Sequence, residues 1–243
     1  MASMKILALD TATEACSAAL LIDGEILQRY QLAPRGHTRL ILPMIDELLI
    51  EADLNISQLD ALAFGRGPGS FVGVRVATSV AQGIAFASGL PVVGVSTLAA
   101  LAQGSADDYG AKKILSAIDA RMDEVYWGTY VLTDDGLVMS QSGECVSAPA
   151  RLSLPEGDEW VGVGSGWGRY RELLREQMGN RLTSVYPDCF PRAESIARLA
   201  RHAYLRGEAV EASQALPVYL RDKVADTPQK ASASPDKGMS HIL

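Results

Sequence analysis

The hydrophobic pattern at the start of the chain predicts three consecutive strands. Lys5–Asp10 contains the unbroken apolar run Ile-Leu-Ala-Leu, which is typical of a strand that is buried on both faces. Ala15–Ile22 and residues 25–31 follow as further strands, and Asp23-Gly24 between them favours a tight hairpin turn. The chain is therefore predicted to open as a β-meander whose first strand ends on the carboxylate of Asp10.

Two helices and two further strands are predicted before residue 100. Residues 38–52 carry apolar side chains at helical spacing, and residues 74–87 are apolar on nearly every face, which favours a helix enclosed in the fold. The short apolar runs 59–64 and 91–95 predict strands, and Ser96 is a suitable cap for a helix over residues 97–103. The apolar stripe of the first helix consists of Leu40, Ile41, Met44, Ile45, Leu48 and Leu49.

A glycine-rich loop connects the strand at 59–64 to the enclosed helix, in the order Gly65-Arg-Gly-Pro-Gly-Ser-Phe-Val-Gly-Val-Arg75. Glycine permits positive φ and close backbone approach, so such a loop can receive either an anion or another segment of backbone. The Lys-Ser or Lys-Thr pair of a phosphate-binding P-loop is absent, because Ser70-Phe71-Val72 follows the third glycine. Glycine spacing alone therefore favours a tight structural turn.

The second half of the chain repeats the order of the first. Residues 113–119 predict a buried strand that ends on Asp119, and two more strands follow at 125–132 and 137–142. This repetition predicts two lobes, residues 4–106 and 107–225, joined near Gly110.

The remaining elements complete the second lobe. The predicted strand at 160–163 leads into Gly164-Ser165-Gly166 and a helix over 168–178. A last helix over 193–207 is a candidate to pack back on the first lobe, and 217–221 is predicted to be extended. Residues 226–243 are polar and contain Pro and Ser, which predicts a disordered tail.

Composition excludes several classes of function. The hydrophobic content of 48% is ample for a packed core, and the net charge of −7, without a long basic run, argues against direct binding of nucleic acid. The three cysteines are scattered, which indicates a reducing cytoplasm and neither disulfides nor a metal site. The N-terminus lacks the apolar core of a signal peptide, Met1–Ser3 resemble an extension ahead of a natural start at Met4, and no membrane association is expected.

Two such α/β lobes, each opening on a strand that ends in Asp, resemble the actin, sugar-kinase and heat-shock-chaperone (ASKHA) fold, which holds a nucleotide between its lobes. Four stretches resemble the bacterial TsaB (YeaZ) family over about residues 4–225. The most specific is Gly-Pro-Gly-Ser-Phe followed by Gly73 and Arg75, although relatives usually carry Thr where this chain has Val72. The other three stretches are Leu9-Asp10-Thr11-Ala12-Thr13, residues 119–126 and residues 217–224.

The resemblance implies a non-catalytic partner or activator subunit in the synthesis of threonylcarbamoyladenosine in tRNA, paired with a TsaD-like catalytic protein. It also implies a TsaE-like ATPase in the complex, a homodimer when the chain is alone, contact with tRNA only through the complex, and a cytoplasmic location. TsaD-like proteins bind their metal through His-x-x-x-His, where this chain has Thr97 and Leu101, so no catalytic residue and no metal ligand are expected. The alternatives are an ATP-dependent kinase or a peptidase-like enzyme of the same fold, or a tRNA-binding module.

Two candidate sites follow. ATP or ADP binding between the lobes is expected to be weak at most, because Ala12 and Arg121 replace the small glycines that wrap phosphates in kinases of this fold. No cofactor is expected otherwise. The candidate nucleotide cleft consists of Asp10, Thr11, Thr13, Asp119, Arg121, Gly164, Ser165 and Gly166. The candidate partner interface consists of Leu40, Ile41, Met44, Ile45, Leu48, Arg75, Thr78 and Ala81, and the alternative is that the apolar stripe belongs to the core.

Overall fold

The computed structural model describes residues 4–221 as two sheets with helices packed on them. The first sheet has the order β3-β2-β1-β4-β5, with β1 antiparallel to β2 and parallel to β4. This central position explains the unbroken apolar run of β1, because both of its faces are covered. Its strands are β1 (Lys5–Asp10), β2 (Ala15–Ile22), β3 (Glu25–Leu32), β4 (Ala61–Gly65) and β5 (Val92–Val95).

The second sheet repeats this topology. Its order is β11-β10-β6-β7-β8, in which the central β6 is antiparallel to β7 and parallel to β10. The predicted duplication is therefore confirmed by strand order and direction, and with it the two-lobed α/β fold. Its strands are β6 (Lys113–Arg121), β7 (Glu124–Leu132), β8 (Val138–Ser140), β9 (Cys145–Ser147, paired with β7), β10 (Trp160–Val163) and β11 (Leu182–Tyr186).

The helices cover both faces of the first sheet. The cluster that contains α1 and α2 joins Leu7, Leu9 and Leu20 to the helical residues Ile45 and Ala81. The opposite side of the sheet packs on α6, which comes from the second half of the chain, and α3 packs on the second sheet. The helices are α1 (His37–Glu51), α2 (Phe71–Ser88), α3 (Thr97–Tyr109), α4 (Ser165–Arg169), α5 (Arg171–Met178) and α6 (Ala193–Leu205).

Several predicted boundaries differ from the structure. Helix α3 runs six residues beyond Gln103 to Tyr109, so the predicted division between residues 106 and 107 falls inside a helix, and Gly110 ends it with φ of 65°. The helix predicted over 168–178 begins at Ser165 and breaks at Tyr170. The short strands β9 and β11 were not predicted. Met1–Ser3, residues 222–225 of the predicted second lobe, and the predicted tail 226–243 lie outside the described residues.

Candidate functional site

The glycines of the central loop lie against the segment that follows β1. A Cβ at Gly69 would stand 2.4 Å from the carbonyl oxygen of Ala12, and one at Gly73 would stand 2.0 Å from that of Thr11. Only glycine therefore allows the two backbones to approach this closely. The loop receives backbone, as the structural-turn interpretation predicted.

Hydrogen bonds fix this contact. The Ser70 N–H donates to the Ala12 carbonyl oxygen at 2.7 Å, and the Thr11 hydroxyl donates to the Gly73 carbonyl oxygen at 2.6 Å. The Ser70 hydroxyl accepts from the Gly73 N–H, so Ser70 is the N-cap of α2. The hydrogen-bond partners at the N-terminus of α2 thus come from the chain itself and not from a bound ligand.

Asp10 lies beneath this loop and does not face solvent. Its side chain is fully buried, its Oδ1 accepts the Ala12 N–H at 3.0 Å, and its Oδ2 has no hydrogen-bond partner within residues 4–221. Burial raises the pKa of Asp10 to about 7, against the opposing effect of the bond from Ala12. Asp10 and the equally buried Thr11 therefore do not belong to the predicted nucleotide cleft.

Asp119, the equivalent carboxylate of the second lobe, is held by arginines. Its Oδ2 lies 2.8 Å from Nη1 of Arg121, and its Oδ1 lies 3.8 Å from Nε of Arg169. Its backbone N–H donates to the Ser165 hydroxyl at 3.1 Å. With both carboxylate oxygens paired, Asp119 is not poised to bind a magnesium ion.

The Gly164-Ser165-Gly166 turn packs tightly on β6. A Cβ at Gly164 would stand 2.5 Å from the carbonyl oxygen of Ala117, and one at Gly166 would stand 2.9 Å from the Ala117 Cβ. These two glycines serve strand–helix packing, which corrects their assignment to the nucleotide cleft.

A cavity of about 830 Å³ does lie between the lobes. It is bounded by the β1–β2 loop, the start of α2, the β6–β7 hairpin and residues 218–221. Of the predicted set it brings together Thr13, Asp119, Arg121 and Ser165. Neither strand-end carboxylate is free to hold the magnesium ion of a nucleotide, because Asp10 is buried outside the cavity and Asp119 is paired with Arg121. Arg35, His37 and Tyr219 also line the cavity, and of these only Tyr219 lay in a stretch that the sequence singled out.

The apolar stripe of α1 faces the first sheet rather than a partner. Ile41, Met44, Ile45 and Leu48 are buried in the core with β1 and β2, and Leu40 is half-buried beside them. These residues therefore belong to the core, which was the alternative, and not to the predicted partner interface. The whole width of the stripe packs on the sheet.

The small residues of α2 are also internal. Ala81 is buried against the first sheet, and Thr78 is buried with its hydroxyl donating to the Val74 carbonyl oxygen at 2.9 Å. They allow α2 to approach the sheet, so they are not available to a second helix. The prediction that α2 is enclosed in the fold is wrong, because its other side carries exposed apolar residues.

That exposed side forms what we term the α1/α2 face. Val72 is 66% exposed and Phe86 is 86% exposed, and Ser79 and Gly83 lie between them on the same side of α2. A groove of about 350 Å³ runs between the start of α2 and α1, where Leu42 is exposed. The face consists of Leu42, Phe71, Val72, Arg75, Ser79, Gly83 and Phe86.

Arg75 lies at the edge shared by this face and the interlobe cavity. Its guanidinium carbon stands 3.3 Å from the centroid of the Phe71 ring and 4.9 Å from that of Tyr219. Its Nη1 donates to the Phe71 carbonyl oxygen at 2.9 Å. The side chain is therefore fixed one turn into α2, with both neighbouring surfaces in reach.

No cluster of three metal-binding side chains occurs within residues 4–221. Thr97 and Leu101, the two positions that the sequence excluded as metal ligands, are both buried. His37 and His202 lie in different parts of the fold, and His241 is outside the described residues. By length and composition α2 could cross a membrane, but its glycine and alanine side is built into the core.

Comparison with known proteins gives a consistent result. The family model described as "TsaD: tRNA N6-adenosine threonylcarbamoyltransferase" matches residues 28–229. The chain is 43% identical to the tRNA threonylcarbamoyladenosine biosynthesis protein TsaB of Escherichia coli (strain K12), over 91% of this chain and 96% of that protein. It also matches the structure of YeaZ from Pseudomonas aeruginosa, with 49% identity and a TM-score of 0.84, over 89% of this chain and all of that one. A second Pseudomonas aeruginosa structure, described as similar to peptidase YEAZ, matches with 48% identity and a TM-score of 0.85, over 90% of this chain and all of that one.

Proposed function

The chain belongs to the TsaB (YeaZ) family of tRNA threonylcarbamoyladenosine biosynthesis proteins, and from this premise we propose that it is a non-catalytic subunit that binds a TsaD-like protein. The observation that carries the proposal is the α1/α2 face, where Val72 and Phe86 are largely exposed on one side of a single helix. Exposed apolar residues grouped in this way mark protein-binding surfaces.

The state of the strand-end carboxylates supports a non-catalytic role. A kinase of this fold needs carboxylates that are free to hold magnesium and to accept a proton, whereas Asp10 is sealed under the glycine loop and Asp119 is paired with Arg121. Thr97 and Leu101 provide no imidazole for a catalytic metal. Catalysis is therefore assigned to the partner.

The chemistry of the α1/α2 face favours a helical partner. Gly83 presents no side chain, and nothing among the described residues lies within 4 Å of where its Cβ would stand, so another helix can approach closely at that point. Phe71, Val72 and Phe86 supply large apolar contacts on either side of it. The same face would pair two copies of the chain, so a homodimer is the expected form without the partner and competes with the heterodimer.

The wider assembly follows from the same proposal. A TsaE-like ATPase joins the complex, tRNA is bound through the complex, and the site of action is the cytoplasm. The net charge of −7 supports a chain that contacts tRNA only with help from its partners.

The test is binding of the purified chain to a TsaD-like protein from the same organism, measured by calorimetry and by the mass of the complex. Val72→Glu places an unpaired charge in the interface and is expected to weaken binding by about 100-fold. Met139→Glu is the matched control, because Met139 is a similarly exposed apolar residue, 58% accessible, on β8 of the other lobe.

Two outcomes with the purified proteins would contradict the proposal. One is equal affinity for the Val72→Glu and Met139→Glu proteins, which would remove the α1/α2 face from the interface. The other is turnover of ATP or a peptide by the chain alone that is lost in Asp119→Asn, which would make the chain an enzyme. Depletion of the protein in cells is expected to lower threonylcarbamoyladenosine in tRNA, and normal levels would also count against the proposal.

A further inference from the structure

Residues 217–221 cross from the first lobe to the second. The Val218 N–H donates to the Arg66 carbonyl oxygen at 2.8 Å, which ties the segment to the glycine loop. Three residues later, Nη2 of Arg221 donates to the Ala120 carbonyl oxygen at 3.1 Å, in the β6–β7 hairpin. The three-residue step between these two anchor points spans about 10 Å when extended, and residues 218–221 line the interlobe cavity.

Arg221 holds the hairpin through more than one group. Its Nε donates to Oε2 of Glu124 at 3.1 Å, and its Nη2 contacts the same oxygen at 2.5 Å. The Arg221 side chain is only 19% exposed, so this pair is better shielded from water than an ordinary surface ion pair. By contrast, Arg121 and Glu14 also face each other between the lobes, but at 3.8 Å and largely in solvent.

The hairpin that Arg221 holds is conformationally costly. Arg121, Met122 and Asp123 all have positive φ, at 61°, 53° and 57°, which is unfavourable for residues with a side chain. Such a turn persists only when neighbouring contacts stabilise it. Arg221 supplies two of these contacts, to Ala120 and to Glu124.

The middle of the segment contacts α2. The Tyr219 ring lies 4.9 Å from the Arg75 guanidinium and 6.4 Å from the Phe71 ring. One five-residue segment thus contacts the glycine loop, the edge of the α1/α2 face and the hairpin of the other lobe.

We propose that residues 217–221 form an interlobe strap, in which Arg221 pins the β6–β7 hairpin over the cavity and Tyr219 fixes Arg75 at the start of α2. The strap makes the order of the hairpin and the order of the α2 N-terminus depend on each other. This coupling is a property of the isolated chain, and it does not depend on the proposed binding of a partner.

A strap and a segment that only packs on the first lobe have different consequences when Arg221 is lost. If the segment merely rests on the first lobe, loss of the Arg221 side chain loosens nothing beyond its own neighbours, because α3 and α6 already pack between elements of both halves. If it is a strap, the loss is transmitted through Tyr219 to α2, although the hydrogen bonds of Arg221 all go to the hairpin.

Hydrogen exchange of the full-length chain, followed by mass spectrometry, tests this. In Arg221→Ala, peptides covering residues 119–125 are expected to exchange about tenfold faster, because the hairpin loses an ion pair and a hydrogen bond. Peptides covering residues 71–76 are expected to exchange faster as well. Arg221→Lys, which keeps the charge, should restore part of the protection, and Arg171→Ala on the exposed side of α5 is the matched control.

Thermal unfolding of each variant accompanies the exchange experiment, so that local opening is separated from global loss of stability. Faster exchange in both regions that exceeds the change at other peptides, with an unfolding temperature lowered by no more than a few degrees, supports the strap. Unchanged exchange in residues 119–125 overturns it, and so does faster exchange there with residues 71–76 unaffected. Equal acceleration at every peptide, in step with a lower unfolding temperature, also overturns it, because a purely structural role would give that result.

Discussion

The carboxyl group of Asp10 lies directly against the backbone of Gly65, so that a Cβ at position 65 would stand 1.8 Å from Oδ2. The two residues end neighbouring parallel strands, β1 and β4, and the carboxyl fills the space that a side chain at 65 would occupy. The first glycine of the central loop is therefore required by a buried acid and not by a ligand.

Gly65→Ala is expected to destabilise the fold by about 3 kcal/mol, because either the carboxyl or the strand must move in a close-packed interior. Urea unfolding monitored by circular dichroism measures the change. Gly83→Ala is the control: Gly83 is in the interior of α2, with nothing among the described residues within 4 Å of the added methyl group. That substitution should instead stabilise by about 0.5–1 kcal/mol, and a loss of stability equal to that of Gly65→Ala would contradict the packing argument.

Asp10 also makes stability depend on pH. Its pKa is about 7 in the folded chain and 3.8 in the unfolded reference, so the folded state holds its proton more tightly, and stability falls as pH rises through that interval. Asp10→Asn cannot ionise. The free energy of unfolding of the parent chain, relative to the variant, should therefore fall by about 2–3 kcal/mol between pH 5 and pH 8. Parallel curves for the two proteins would mean that Asp10 titrates normally.

The regular elements were predictable because local pattern determines them. Unbroken apolar runs indicated that β1 and β6 are buried strands, and Ser96 indicated the start of α3. The strands that were missed, β9 and β11, are short and mostly half-buried, so their sequences carry no clear period.

The sites were less predictable, because one sequence feature permits opposite roles. A stripe such as Ile41 and Leu48 suits a core and an interface equally well, and only the position of the sheet decides between them. Glycines such as Gly164 permit close approach, but the sequence does not reveal that Ala117 is what approaches. The contact of Arg221 with Glu124 joins residues 97 positions apart, beyond the reach of any local pattern.

A buried hydroxyl depends on one carboxylate in the second lobe. The Tyr130 hydroxyl donates to Oε1 of Glu144 at 2.5 Å, and the Ser96 hydroxyl, which caps α3, donates to the same oxygen. Burial, reinforced by this carboxylate, raises the pKa of Tyr130 well above its ordinary value.

Glu144→Ala should cost about 2 kcal/mol of stability, because it leaves the Tyr130 hydroxyl buried without its acceptor. Tyr130→Phe alone should cost about 1 kcal/mol, and the double variant clearly less than the sum of the two. A chemical-denaturation cycle of the four proteins measures the coupling, and strict additivity would show that the two side chains do not depend on each other.

Arg75 is the charged residue of the α1/α2 face, and its substitution tests whether a polar contact contributes to partner binding. Its guanidinium is stacked on Phe71 and Tyr219, so it is already ordered before a partner arrives, and a contact made by a preorganised arginine loses little entropy. Arg75→Ala is expected to weaken binding of the TsaD-like protein by about tenfold while changing stability by less than about 1 kcal/mol. Arg75→Lys should recover little of the affinity, since an ammonium group does not reproduce the planar stack. Calorimetric titration of both variants beside Arg171→Ala provides the measurement. Full affinity in Arg75→Ala would remove this residue from the interface, and full recovery by Arg75→Lys would mean that charge alone, rather than the stacked geometry, is what the partner recognises.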